Sequence, residues 1–303
     1  MTVAERLSDL GYASGWRLVR ALPEPVARTL FDGGAGLFAR RGGPEQLRRN
    51  LARVLGVDPP AVPDELIAAS VRSYARYWRE AFRLPSMDLP AIAKIMHEAV
   101  EGRESIFAAL EEGRGAVLAL PHSGNWDVAG VWLAQTTGRF ATVAERLKPD
   151  SLYRRFLAYR ESLGFEIFPI SRADPSPMPQ LAQRLRDNGV VALLGERDLA
   201  RSGVSVEFFG ETTLMPPGSA KLAIETGAAL LPAHCWFTER GWGCSVHPEI
   251  DVSGGVADAT QQLADRFAKN IAARPADWHM LQPLWLADLS PERRARIEQR
   301  DQP

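Results

Sequence analysis

The sequence is short of cysteine and has no long apolar run, and each shortage excludes a class of protein. Two cysteines, Cys235 and Cys244, occur in 303 residues, too few for the disulfide framework of a secreted scaffold. We expect them to be reduced and structural, facing each other across a hairpin. No apolar run approaches the roughly 18 residues that would span a bilayer. Residues 1–6 lack the layout of a signal peptide, so we expect a cytoplasmic chain that touches a membrane only from its surface.

The balance of charge excludes partners that bind through bulk electrostatics. The formal net charge is -1 at pH 7, and we expect no nucleic-acid partner, because such proteins carry a basic excess. With 46% hydrophobic and 24% charged residues, the composition is that of a soluble globular protein. A chain of this length buries a large core and does not need more than one domain.

Several catalytic motifs are missing as well. The chain has no G-x-S-x-G elbow, which argues against a covalent serine hydrolase and leaves Ser123 a weak candidate nucleophile. It has no Walker loop and no G-x-G-x-x-G after a strand, which argues against nucleotides as energy or hydride donors. No H-x-x-x-H or C-x-x-C pair supports a metal site, and we expect no metal and no bound cofactor. The residues that would be available to a metal are His122, Asp127, Glu196, His234 and His247.

Short apolar strands alternate with helices from residue 116 onward. This alternation predicts an α/β fold with a mainly parallel central sheet and helices on both of its faces. Two later strands, Leu230–Phe237 and Trp242–Ile250, are joined by a tight turn and predict an antiparallel addition at the sheet edge. The strands expected in the parallel part are Ala116–Leu120, Phe140–Ala144, Phe165–Ile170 and Gly189–Leu194.

The first 100 residues have helical periodicity instead. A helix from Asp64 to about Phe82 carries apolar residues on one face and a narrow arginine stripe on another. A basic helix with aromatic residues suits an anionic membrane surface. A solvated stripe on a helix that docks into the core is an equal alternative. The stripe is formed by Arg72, Arg76, Arg79 and Arg83.

A single domain is therefore expected over residues 1–303. We divide it into a helical, membrane-facing segment at 1–100, an α/β catalytic core at 101–275 and a helical tail at 276–303. The tail ends in a charged surface helix that Ser290 and Pro291 begin. No internal repeat or low-complexity segment divides the chain further.

The strand Ala116–Leu120 leads directly into Pro121-His-Ser-Gly-Asn-Trp-Asp127. Open α/β sheets bind ligands at the carboxyl ends of their strands, which places His122 at the mouth of a site. On a continuous helix His122 and Asp127 would lie about 140° apart, so they meet only if residues 123–125 form a turn. Glycine and asparagine favour one. An imidazole oriented by a carboxylate is equipped to take a proton from a hydroxyl, although a lone histidine at a strand end is more often structural.

Ionisable residues follow the neighbouring strands too. The carboxyl ends of parallel strands lie at one edge of the sheet, so these side chains are expected to share a site. Ionisable residues at three strand ends are more than structure alone predicts. The residues concerned are Glu145, after the strand at 140–144, and Glu196, Arg197 and Asp198, after the strand at 189–194.

Arg160 lies on the helix after Glu145. It either folds back to pair with Glu145 or is an ordinary surface arginine. With nucleotide and metal chemistry set aside, and with covalent serine chemistry only weakly supported, the sequence favours a histidine general base that acts directly on a bound hydroxyl.

The order of these motifs resembles that of a known superfamily. His122-Ser-Gly-Asn-Trp-Asp127 is similar to the H-x4-D motif of bacterial lipid acyltransferases, which include the lipid A late acyltransferases and the glycerolipid acyltransferases. Along nearly its whole length the chain resembles the mycobacterial branch that acts on phosphatidylinositol mannosides. The stretch His279–Gln282 departs from the usual aromatic and basic continuation of the lipid A branch. The other similar blocks are Gly195–Leu199, Val206–Gly210, Met215–Gly218 through Leu231-Pro232, and Pro275–Trp278.

The resemblance implies transfer of a fatty acyl group, typically palmitoyl, from acyl-CoA as co-substrate to a mannose hydroxyl of a phosphatidylinositol mannoside. It also implies a peripheral enzyme on the anionic cytoplasmic face of the plasma membrane. His122 would take the proton of the sugar hydroxyl while Asp127 holds the imidazole, and Glu196 would orient either His122 or the hydroxyl. By the same analogy the substrate-binding residues are Glu145, Arg160, Arg197 and Asp198.

Two further interpretations stay open. Within the superfamily, the chain is alternatively a lyso-phospholipid or lipid A type acyltransferase. From a different class, it is a non-catalytic lipid-binding protein on the same scaffold. The intact H-x4-D motif and Glu196 argue against a binding protein, because a binding protein has no need of an aimed imidazole.

Overall fold

The computed structural model describes residues 14–138, 140–145, 150–170, 175–198 and 203–289. Nine strands occur in these residues. They are β1 (Val100–Glu101), β2 (Ala116–Leu120), β3 (Phe140–Glu145), β4 (Phe165–Ile170), β5 (Val190–Leu194), β6 (Val204–Phe208), β7 (Glu211–Met215), β8 (Ala229–Phe237) and β9 (Trp242–Val246). Seven of them form the central sheet, in the order β1-β9-β8-β2-β5-β3-β4, and β6 and β7 form a separate two-stranded sheet.

Eleven α-helices occur in the same residues. They are α1 (residues 14–21), α2 (Glu24–Arg40), α3 (Glu45–Leu55), α4 (Asp64–Arg83), α5 (Leu89–Ala99), α6 (Glu104–Glu111), α7 (Trp126–Thr137), α8 (Asp150–Glu161), α9 (Met178–Arg186), α10 (Gly218–Thr226) and α11 (Gly255–Ala273). In the described part of the chain, no helix combines the length and the hydropathy that crossing a bilayer requires.

The central strand of the large sheet is β2. It pairs in parallel with β5 on one side and β8 on the other, and β3 and β4 continue the parallel part beyond β5. All five residues of β2 are buried, as expected of a strand covered on both faces. The predicted α/β fold is confirmed, and the four predicted parallel strands are found within one residue of their expected bounds.

Alternate residues of β2 pack into different cores. Leu118 and Leu120 face the core that includes the buried side of α7, whereas Val117 and Ala119 face the core built from α9, α10 and α11. Each fully buried leucine or valine contributes about 1.5–3 kcal/mol. The strand that precedes His122 is therefore held firmly from both sides.

The edge of the sheet differs from the prediction. β8 lies inside the sheet beside β2, and β9 is the strand that runs antiparallel to it. The unpredicted β1 extends this edge by pairing in parallel with β9. Residues 204–208 and 211–215 form the β6–β7 hairpin, which was not predicted from the sequence. Phe209 and Gly210 make its turn with positive φ angles of 53° and 77°, and phenylalanine is not a residue that signals such a turn.

The arginine stripe of α4 is not a free basic surface. Arg79 and Arg83 both pair with Glu24 of α2, and Arg76 donates to backbone oxygens in the β8–β9 turn. Of the four arginines, Arg72 is exposed. Three of the four charges therefore have partners within the fold and are not the solvated stripe that one alternative expected. The helix itself docks into the core, as that alternative predicted, with Ile67, Val71 and Tyr77 buried.

The C-terminal segment packs over the edge of the sheet where His122 lies. Residues 275–277 and 286–288 form short 3-10 turns. Trp278 forms a β-bridge with Ser123, and Trp285 forms another with Thr213; both tryptophans are fully buried. The helix predicted from Ser290 lies outside the described residues, as do residues 1–13.

Candidate active site

Parallel pairing brings His122 and Glu196 together. Leu120 of β2 is in register with Leu194 of β5, and each ionisable residue follows two positions beyond its strand. Two side chains that are 74 residues apart in the chain therefore become neighbours. The prediction that ionisable residues at strand ends share one edge of the sheet is confirmed for this pair.

The turn after β2 depends on Gly124 and Asn125. Gly124 has a φ of 59°, and a Cβ there would lie 2.6 Å from the backbone carbon of Cys235, so only glycine fits. The Asn125 side chain accepts a hydrogen bond from the backbone N–H of Val128 at 3.1 Å and caps α7. The predicted turn at residues 123–125 is confirmed, and it aims His122 away from the helix that follows.

Glu196 is the hydrogen-bond partner of His122. One oxygen of its carboxylate, Oε1, lies 2.9 Å from the His122 ring nitrogen Nδ1 and accepts the His122 backbone N–H at 2.7 Å. Burial raises the pKa of Glu196, whereas the charge of His122 and the hydrogen bonds that His122 donates lower it. The lowering is the larger effect, so the pKa of Glu196 lies below its ordinary value. An ionised carboxylate only accepts hydrogen bonds. Nδ1 of His122 therefore carries the proton, and Nε2 is the nitrogen left to act as a base.

Asp127 does not hold the imidazole, which corrects the sequence prediction. In the described structure its carboxylate accepts from Arg160 Nε at 3.0 Å and from the hydroxyls of Tyr77 at 3.1 Å and Tyr159 at 3.5 Å. It has no hydrogen bond to His122 there. The reason is geometric, since Asp127 lies in the first turn of α7 and points to α4 and α8, while His122 turns to β5.

The buried surroundings of Asp127 shift the acidity of its partners. Burial and then the negative charge of Asp127 raise the pKa values of the Tyr77 and Tyr159 hydroxyls well above their usual range. Burial works to lower the pKa of Arg160, but Asp127 outweighs it and the pKa rises. The aspartate and the arginine are thus a charged pair with two neutral hydroxyl donors, and Arg160 does not form the pairing with Glu145 that we considered.

The remaining candidate residues divide into two groups. Glu145, Arg160 and Arg197 line the same cavity as His122. Asp198 is not among the lining residues; its carboxylate accepts the backbone N–H of Gly203 at 2.8 Å. The geometry is compatible with a substrate-binding role for the first three and gives Asp198 a role in holding its loop.

A cavity of about 380 Å³ opens beside these groups. Its deeper wall is apolar and is formed by the strands and by α7 and α8. Cys235 and Cys244 belong to that wall; they face each other in register with their Sγ atoms 3.8 Å apart, and both are free, as expected. Other apolar lining residues are Leu118, Leu120, Trp132, Leu133, Phe165, Ile167 and Val246.

Several residues around the site were not singled out from the sequence. Tyr77 and Tyr159 complete the shell of Asp127, and Trp278 donates its indole N–H to Glu196 Oε1 at 3.4 Å. Tyr77 and Tyr159 lie on α4 and α8, where helical periodicity identifies a buried face without naming its partner. Trp278 belongs to the Pro275–Trp278 motif, but its position against Glu196 depends on the fold and is not visible in the sequence.

Comparisons with known proteins agree with this geometry. Residues 5–287 match the model of the bacterial lipid A biosynthesis acyltransferase family. The chain belongs to this family.

Two individual proteins are similar to this chain over nearly its whole length. A phosphatidylinositol mannoside acyltransferase of Mycolicibacterium smegmatis is 64% identical over 293 residues, which cover 96% of each chain. A protein of the same name from Mycobacterium tuberculosis is 62% identical over 300 residues, which cover 99% of this chain and 95% of the relative. The resemblance noted from the sequence is therefore confirmed.

Proposed function

We propose that this chain transfers a fatty acyl group from acyl-CoA to a mannose hydroxyl of a phosphatidylinositol mannoside, with His122 as the general base. One observation carries the proposal: a histidine whose Nδ1 is held by a buried carboxylate lies at the rim of a cavity with apolar walls. The names of the two close relatives support the choice of acceptor.

The geometry supports a direct transfer. Nε2 of His122 takes the proton of the acceptor hydroxyl as its oxygen attacks the thioester carbonyl. The charge of Glu196 stabilises the imidazolium that forms. Collapse of the tetrahedral intermediate then breaks the carbon–sulfur bond, and the departing thiolate of CoA takes the proton from Nε2. No covalent acyl-enzyme is required, so Ser123, which is fully buried, has no part in the reaction.

The cavity suits the acyl chain. Its apolar wall lies behind His122 on the sheet, so a fatty chain placed there leaves the thioester near the strand ends. At the rim, Arg197 offers a positive charge to the phosphates of CoA and Glu145 an acceptor for sugar hydroxyls.

Membrane contact is assigned to α2 rather than to the arginines of α4. Leu30, Leu37 and Phe38 of α2 are 59%, 55% and 50% exposed, and Leu30 and Phe38 border an open apolar groove of about 750 Å³ between α2 and α4. Large apolar side chains on one helix favour insertion into the lipid interface. This contact would place a peripheral enzyme at the plasma membrane.

A flotation experiment tests the membrane contact. The double variant Leu37→Asp with Phe38→Asp should lose flotation with anionic phospholipid vesicles, because charged groups are costly to bury in lipid. Ile224→Asp on α10 is the matched control, since Ile224 is 42% exposed and lies on a different helix. Equal flotation of the double variant and the control would contradict the assignment.

An acceptor panel tests the proposed activity. Purified chain is incubated with radiolabelled palmitoyl-CoA and, in turn, a phosphatidylinositol mannoside, a lyso-phospholipid and a lipid A precursor, with His122→Ala as the inactive control. Label should pass to the mannoside and not in the control. Preferred labelling of another acceptor would identify the related acyltransferase instead. Binding of the mannoside without any transfer would identify a lipid-binding protein.

A further inference from the structure

A second histidine, His279, lines the cavity close to His122. Its side chain is 5% exposed, and its ring nitrogen Nδ1 is buried and has no hydrogen-bond partner among the described residues. The backbone N–H of His279 donates to the carbonyl oxygen of His122 at 2.7 Å, so the two residues are tied together through their main chains. A buried polar atom without a partner costs about 1–3 kcal/mol, and natural proteins rarely leave one without reason.

The neighbours of His279 define which nitrogen carries its proton. The Ser73 hydroxyl donates to Asp277 Oδ1 at 2.6 Å, so its oxygen is left to accept from the His279 nitrogen Nε2, 3.0 Å away. The other carboxylate oxygen of Asp277 accepts the backbone N–H of Phe237 at 2.9 Å. His279 is thus neutral, with its proton on Nε2 and a bare lone pair on Nδ1. Burial, followed by the charge of His122, lowers the pKa of His279 to about 3, which agrees with a neutral ring.

A matching donor without a partner lies in the same cavity. The indole N–H of Trp126 is buried and has no acceptor in the part of the chain that the structure describes. The Trp126 ring is 5.5 Å from the His122 ring and 6.0 Å from the His279 ring, measured between centroids. His279 therefore requires a donor, and Trp126 requires an acceptor. A hydroxyl group supplies both from one oxygen, whereas the donor and acceptor of a trans amide point in opposite directions. Neighbouring hydroxyls on one sugar ring meet both requirements at once.

We propose that Nδ1 of His279 accepts a hydrogen bond from a hydroxyl of the acceptor sugar, next to the hydroxyl that His122 deprotonates. This subsite rests on the proposed function, because it assigns the acceptor and not the acyl donor to this side of the cavity. It sets which hydroxyl reaches His122, and it excludes from productive binding an acceptor that has no neighbouring hydroxyl.

Two variants separate binding from a structural role. In His279→Gln the side-chain amide still donates to Ser73 but no acceptor remains at the Nδ1 position. In His279→Asn a carbonyl oxygen replaces Nδ1 while the contact to Ser73 is lost. We expect the Gln variant to raise the KM for the mannoside about 10-fold with the KM for acyl-CoA unchanged, and the Asn variant to stay within about 3-fold of wild type. His247→Gln is the control, because His247 is not among the residues that line the cavity.

The opposite pattern overturns the proposal. A larger defect in the Asn variant than in the Gln variant would assign His279 to structure alone, and a rise in the KM for acyl-CoA alone would assign its partner to an amide of the donor. Acceptors that each lack one hydroxyl sharpen the result: for one of them, the 10-fold penalty of His279→Gln should disappear.

A measurement on the unmodified chain tests the subsite without any substitution, so its result does not depend on whether the variants fold. The sequence has five histidines, so the ring nitrogens of protein labelled with 15N-histidine are few enough to resolve. Addition of a short-chain, water-soluble phosphatidylinositol mannoside should move the bare Nδ1 signal upfield, as hydrogen bonding does. An unmoved signal at saturating mannoside overturns the subsite. If wild type binds the mannoside and shifts this signal but transfers no acyl group, the proposed function fails and the subsite stands.

Discussion

Two buried carboxylates lie near His122, and their surroundings differ. Glu196 is fully buried and accepts from the backbone and ring N–H of His122 and from the indole of Trp278. Its second oxygen, Oε2, has no hydrogen-bond partner among the described residues. Asp127 is 2% exposed and is neutralised by Arg160. The glutamate is arranged to respond to a charge that forms on the histidine, whereas the aspartate already has its positive partner.

This difference separates a role in chemistry from a role in architecture. A carboxylate with one oxygen on an imidazole and no permanent cationic partner stabilises an imidazolium as it forms. A carboxylate in a buried ion pair with two tyrosines fixes helices instead, since α4, α7 and α8 each contribute a residue to it. Proximity in sequence to a candidate base is therefore a poor guide to which carboxylate serves it.

The largest effect is expected for Glu196→Gln. The amide keeps an oxygen for the donors but removes the charge, and it can donate to Nδ1 and so leave the wrong nitrogen of His122 protonated. We expect acyl transfer to fall about 10³-fold. The measurement is kcat with saturating acyl-CoA and mannoside. Thermal unfolding serves as the control, and its midpoint should change little; transfer within a few-fold of wild type would show that the carboxylate does not serve the base.

The second effect is on stability and concerns Asp127→Asn. Removal of this charge leaves Arg160, whose side chain is 19% exposed, without its counter-charge. We expect the free energy of unfolding to fall by about 3 kcal/mol. Urea unfolding measures it, together with Arg160→Gln and the double variant. The double variant should cost clearly less than the sum of the two single variants; strict additivity would contradict a coupled pair.

The smallest expected effect is a loss of folding stability at low pH, which comes from two buried histidines and not from either carboxylate. Burial and then the charges of His247 and Arg274 lower the pKa of His234 to about 4, and the pKa of His279 is about 3. As pH falls below about 6.5, the unfolded chain binds protons that the folded chain does not, so the fold loses stability until the folded pKa is reached. Each histidine should cost about 2 kcal/mol between pH 7 and pH 5.

Urea midpoints at pH 7 and pH 5 test this expectation. His234→Gln should reduce the loss, because glutamine does not titrate. Glu196→Gln should leave it unchanged, because the lowered pKa of Glu196 places the loss of its contribution at lower pH. A pH 5 penalty that disappears in Glu196→Gln would assign it to the carboxylate.

The sequence was sufficient for the α/β order, the strand bounds and the turn at Gly124, because these depend on local apolar patterns and on residues with special backbone conformations. It was not sufficient for the partner of His122. The H-x4-D spacing placed Asp127 close in sequence, but pairing is decided by the order of strands in the sheet, which puts β5 beside β2. The partners of the α4 arginines were missed for a similar reason, because periodicity identifies a face of the helix but not the Glu24 that pairs with it.

The most direct test of the central claim is chemical rescue of His122→Ala. The account predicts that the transfer rate of this folded variant is about 10³- to 10⁴-fold lower than that of wild type. Added imidazole should restore part of the rate, because Glu196 remains in place to orient it. Rescue should be absent in the double variant with Glu196→Gln. Transfer at the wild-type rate by folded His122→Ala, without imidazole, would contradict the claim that this histidine is the base.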